Sequence, residues 1–77
     1  MLVNTVEIDE VETGKRIRMY MEKRGYTVMQ LTGVTGLAET TIRDYMRGKY
    51  IPKSRNLVII AIALGVNMDD IVVYREE

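Results

Sequence analysis

The chain contains no cysteine and no histidine. Without cysteine there is neither a disulfide nor a thiolate metal site. Without histidine the commonest metal ligand and the commonest general base are both missing. No enzyme, metal or cofactor is therefore expected. Long apolar runs are missing too. The longest, from Leu57 to Val66 with Gly65 counted in, is well short of the roughly 20 residues that cross a bilayer. The N-terminus is acidic and lacks a signal-peptide pattern. These absences point to a soluble cytoplasmic protein with no membrane partner. There is no internal repeat and no low-complexity segment. With 77 residues the chain makes one small domain, residues 1–77, too small for a separate ligand-sensing module, so no small-molecule ligand is expected. A domain of this size buries only about 60% of its unfolded surface.

An excess of one charge sign is also lacking, since the formal net charge is zero. Its distribution is uneven. Residues 1–12 hold four acids and no base, residues 13–56 hold ten bases against Glu22, Glu39 and Asp44, and residues 57–77 hold Arg75 against four acids. Screening confines exposed charges to neighbours within about 8–10 Å, so a polyanion responds to the basic middle rather than to the total. The plainer alternative is that these lysines and arginines solvate helix faces.

The pattern of what is present is helical. Residues 1–12 read as an acidic N-terminal arm or, where Val6-Glu7-Ile8-Asp9 alternates, a short strand. Thr13 is placed to cap a first helix ending near Arg24, with Ile17, Tyr20 and Met21 as its apolar stripe and Gly25 after it. Thr27 is placed to cap a second helix over about 28–34. Gly36 supplies a turn that needs positive φ. A third helix over about 38–47 follows, with Ile42 and Tyr45 on its inner face. Tyr50-Ile51-Pro52 is a linker. Ser54 is expected to cap a fourth helix over 55–64, whose outer positions Val58, Ile59 and Ile62 make it apolar nearly all round, so cover on more than one side is expected. Asn67 caps a fifth over 68–72, and Asp69 and Asp70 lie at its positive end, where they read as dipole partners rather than catalytic carboxylates. Val72-Val73-Tyr74 reads as a closing strand. Two short helices joined by a glycine turn fit a helix-turn-helix.

The run Tyr26 to Lys49 resembles the helix-turn-helix of phage repressors and their bacterial relatives, the XRE family. The resemblance rests on Ile17-Arg18, Leu31, Gly36, Thr41-Ile42 and Arg47-Gly48-Lys49, and then on Leu57, Ile60-Ala61, Leu64-Gly65-Val66 and Met68-Asp69-Asp70-Ile71, all in one gap-free register over about 14–73. It implies an all-α, five-helix repressor-like fold, with short terminal strands as an addition. It also implies a sequence-specific DNA-binding regulator of transcription that acts as a homodimer on double-stranded DNA, its third helix in the major groove. On that basis Ala38, Glu39, Thr40, Thr41 and Asp44 are the positions that meet base edges. Arg43, Arg47, Lys49 and Lys53 neutralise phosphates, joined by backbone amides near Thr27 at the start of the second helix. A solvent-facing hydroxyl is the alternative role for Thr41.

The chain departs from the family at three places. Many relatives carry a phosphate-binding Gln where Val28 and Met29 stand, and many pair an Arg with a Glu where Met21 and Met46 stand. The two methionines are expected to touch in place of the ion pair. Glu39 and Asp44 put negative charge on the helix that faces DNA. The alternative function is a protein-interaction module, antitoxin-like or an accessory factor, that keeps the fold and binds DNA weakly or not at all.

Overall fold

Asp9 sets the start of the first helix. In the computed structural model, which describes residues 6–76, its carboxylate accepts from the Glu12 amide at 3.0 Å. Glu10 and Glu12 occupy the positive end of the helix dipole. Helix α1 therefore spans Glu10–Arg24, four residues longer at its start than a cap at Thr13 would make it. Thr13 is not its cap. It is buried inside α1, and its hydroxyl accepts from the Val73 amide at 3.0 Å. The acidic arm is correspondingly short. Val6–Ile8 form strand β1, and the part of the arm that includes Val3 and Thr5 lies outside the described residues.

The remaining elements follow in order: α2 Val28–Thr35, α3 Glu39–Met46, α4 Ser54–Leu64, α5 Met68–Ile71 and β2 Tyr74–Glu76. Ser54 opens α4 as its first helical residue, Lys53 takes the cap position and no side chain bonds there. The closing strand starts two residues later than Val72, because Val72 ends α5 and the Val73 carbonyl accepts from the Asp9 amide at 2.7 Å. β1 and β2 pair antiparallel within the one chain, Ile8 opposite Tyr74 and Glu7 opposite Arg75. The Arg75 guanidinium reaches Glu7 at 3.3 Å and Asp9 at 3.7 Å.

Ile17 of α1, Leu31 of α2, Ile42 of α3, Ile60 and Leu64 of α4 and Ile71 of α5 meet in one core, each at most 2% exposed. Full burial of such a side chain contributes about 1.5–3 kcal/mol, so each helix is held chiefly by its inward stripe. Two arginines of α1 are spent on holding other helices in place. Arg24 donates to the last carbonyl of α4, on Leu64, at 3.0 Å, and Arg16 donates to the Asp70 carbonyl of α5 at 3.1 Å. No helix among the described residues is long and apolar enough to cross a membrane. The outer face of α4 is not covered within the chain. Ile62 is 73% exposed and Val58 is 39% exposed.

Candidate nucleic-acid interface

The turn between α2 and α3 is fixed by short-range bonds. At the front of α2, Thr27 and Gln30 form a reciprocal capping box. The Thr27 hydroxyl accepts from the Gln30 backbone amide at 3.1 Å and the Gln30 side-chain oxygen Oε1 accepts from the Thr27 backbone amide at 2.8 Å. Thr-x-x-Gln is the sequence sign of that box, so Gln30 was findable from the residues alone. At the far end Gly36 takes φ 74°, and its amide bonds to the Thr32 carbonyl at 2.8 Å. Only glycine adopts that φ without a steric cost. The Thr35 hydroxyl donates to the Leu31 carbonyl at 2.7 Å and accepts from the Leu37 amide at 3.1 Å. The chain is thereby aimed into α3.

Helix α3 buries Ile42 and Tyr45 and presents the opposite face to solvent. Tyr45 is pinned further by the Asn56 amide, which donates to its hydroxyl at 2.9 Å. On the outer face Thr40, Arg43 and Arg47 are exposed at i, i+3, i+7 spacing. Ala38, at the cap position of α3, is exposed and offers no side-chain bond to the opening amides. Thr41 is half-buried, in a groove of about 390 Å³ that it shares with Asp44, Tyr50, Lys53 and Asn56.

Both acids of α3 are paired within the helix. Glu39 holds Arg43 at 2.9 Å and Asp44 holds Arg47 at 2.6 Å. The Glu39 pair is exposed on both sides, and such pairs contribute about 0.2–1 kcal/mol, little enough for a phosphate to displace the carboxylate, whereas the Asp44 side chain is only 19% exposed. Past α3 the chain turns back, with the Lys49 amide on the Asp44 carbonyl at 2.9 Å. Lys49 is exposed, its ammonium 5.4 Å from the centre of the Tyr50 ring, and Lys53 is exposed at the head of α4. The fold thus sets Ala38, Glu39, Thr40, Arg43, Asp44 and Arg47 along one short helix, with Lys49 and Lys53 on its exit loop. Thr27 stands apart at the head of α2. One further cation, part of the family pattern but given no contact from the sequence, joins them. Arg18 of α1 lies beside Arg43, Met46 and Arg47.

A family model for helix-turn-helix domains matches residues 17–71. The chain belongs to the helix-turn-helix family. Two solved structures have the same fold. One is the restriction-modification controller protein C.AhdI from Aeromonas hydrophila, 24% identical, with a TM-score of 0.77 over 82% of this chain and 96% of that one. The other is the clp gene regulator ClgR from C. glutamicum, 20% identical, with a TM-score of 0.75 over 84% of each chain. A search of curated protein sequences gave no match. The phage-repressor type expected from the residues holds for this helix-turn-helix protein. So does its mostly helical architecture, with five helices and a short two-stranded sheet among the described residues. A helix-turn-helix domain of this type is a DNA-binding regulator, and the protein-interaction alternative is not favoured.

Proposed function

We propose that this helix-turn-helix protein acts in the cytoplasm as a homodimeric transcriptional regulator that reads double-stranded DNA with α3 in the major groove. The observation that carries the proposal is the outer face of α3, where Thr40, Arg43 and Arg47 form an exposed stripe continued by Lys49 and Lys53 on the exit loop. Thr40 and Glu39 are the base-reading side chains, and a Glu that accepts from a cytosine amino group contributes about 1–3 kcal/mol of discrimination. The cations meet phosphates and set the register. Glu39 and Asp44 restrain non-specific binding, because in the free protein they occupy two of the arginines that would otherwise meet phosphates. Glu39→Gln and Asp44→Asn are expected to raise affinity for random duplexes, and Glu39→Gln also to weaken cytosine preference at one position. Duplexes selected from a random pool, titrated beside random ones at one fixed salt, measure both effects. If the parent and both variants ignore DNA even at low salt, the regulator proposal fails.

The dimer is supported by the uncovered face of α4. Val58, Ala61, Ile62, Val66 and Met68 line a groove of about 380 Å³ between α4 and α5. A second copy related by two-fold symmetry would fill it and set two α3 helices about 34 Å apart, the spacing of successive major grooves. The parent is expected to sediment as a dimer at tens of micromolar and Ile62→Asp as a monomer. Because Ile62 is already solvent-exposed, the variant keeps its fold. A parent that sediments as a monomer sinks the dimer for the free protein.

A further inference from the structure

Arg18, Arg43, Met46 and Arg47 line a cavity of about 220 Å³. Two of the three have carboxylate partners, Glu39 and Asp44, but neither acid lines the cavity. Among the described residues no carboxylate lies within ion-pairing distance of Arg18. Three arginines therefore line one small space beside a thioether, and of the three only Arg18 has no carboxylate partner among the described residues. The backbones of α1 and α3 touch at Gly14, against the carbonyls of Tyr45 and Met46. That approach holds Arg18, one turn further along α1, beside the last turn of α3. Guanidinium forks match phosphate oxygens two at a time, so the cavity has the chemistry of a phosphate seat.

We propose that Arg18 is a DNA-positioning residue of α1 and that Arg18, Arg43 and Arg47 clamp one backbone phosphate over Met46. The clamp rests on the DNA-binding function proposed above and extends it to a helix outside the turn motif. When the phosphate arrives, Arg43 and Arg47 exchange their carboxylate partners for it, and Arg18 gains its first anionic partner. The clamp is blind to sequence, so it fixes where α3 sits without choosing the base.

The test is a set of salt titrations with selected and random duplexes, comparing the parent with Arg18→Gln, Met46→Glu and Lys23→Gln. Each phosphate that is no longer neutralised makes the slope of log affinity against log salt shallower by about 0.9. Arg18→Gln leaves two arginines on that phosphate, so it is expected to bind both duplexes more weakly by the same factor, and to lose at most about 3.5-fold less affinity than the parent between 50 and 200 mM salt. Met46→Glu places a carboxylate inside the cavity and is expected to flatten the slope with Arg18 intact. Lys23 lies outside the cavity, its ammonium 5.6 Å from the Tyr20 ring, and its variant keeps the parental slope. Should Met46→Glu fail to fold, the exposed Arg18 variant decides alone. A parent that binds DNA while Arg18→Gln keeps its full affinity for both duplexes, or shifts its base preference, overturns the clamp and leaves the regulator proposal standing. A parent that binds no duplex overturns both.

Discussion

Met21→Ala is expected to destabilise the protein by about 2–5 kcal/mol, the range for deleting a buried long apolar side chain. Met21 is 3% exposed and belongs to the core. Met46 is only half-buried, packed on that core from α3 and open on one side to the arginine cavity. Its truncation leaves a space that water can enter, so Met46→Ala is expected to cost less than Met21→Ala. The two positions lie where related domains carry an Arg and a Glu, and a buried ion pair can be replaced by packing at no loss of stability. Neither methionine titrates, so this junction between α1 and α3 adds nothing to acid sensitivity. For a domain of this size each 1 kcal/mol moves the melting temperature by about 4–8 °C. Thermal or urea unfolding of the two variants would therefore separate them clearly. A neutral Met21→Ala would show that the junction is held by something other than these side chains.

Helix stripes and stop signals were legible because they are local. Ile17, Leu31, Ile42, Ile60, Leu64 and Ile71 are apolar positions of the five helices, and all six are in the core. The glycines at 25, 36 and 65 close α1, α2 and α4. What could not be read was set by partners distant in sequence. Thr13 looked like a cap, but its hydroxyl serves Val73, 60 residues away. Arg16 and Arg24 counted as part of a basic middle segment, yet each holds the end of another helix. At the site, the composition of α3 was plain and its wiring was not. Glu39 and Asp44 have the i, i+4 and i, i+3 spacing to Arg43 and Arg47 that allows an ion pair, but spacing alone leaves an acid free to face DNA. Arg18 is invisible to a motif search centred on α2 and α3, because only the crossing of α1 over α3 brings it there.

Gly14→Val is expected to cost about 3 kcal/mol or more, and to cost DNA binding with it. Gly14 lies inside α1, where glycine is less favourable than alanine by about 0.8–1.0 kcal/mol. Propensity alone would make Gly14→Ala stabilising. The structure predicts the opposite. A Cβ at this position would collide with the Tyr45 carbonyl oxygen and stand 2.8 Å from that of Met46. Both are backbone atoms of α3, so no rotamer change removes the clash, and overpacking of a tight junction costs about 1–3 kcal/mol and occasionally more. The larger, β-branched valine makes the clash worse than alanine does. Relief requires α3 to move away from α1. That motion pulls Tyr45 from Asn56, now bonded at 2.9 Å, and shifts the exposed stripe of Thr40, Arg43 and Arg47 relative to the rest of the interface. Denaturant unfolding should rank the parent above Gly14→Ala and Gly14→Ala above Gly14→Val. Duplex titration of Gly14→Ala, at a temperature where it remains folded, should show weaker binding than the parent. If Gly14→Ala instead melts higher than the parent, the two helices do not meet backbone to backbone there, and the placement of α3 against α1 would have to be redrawn.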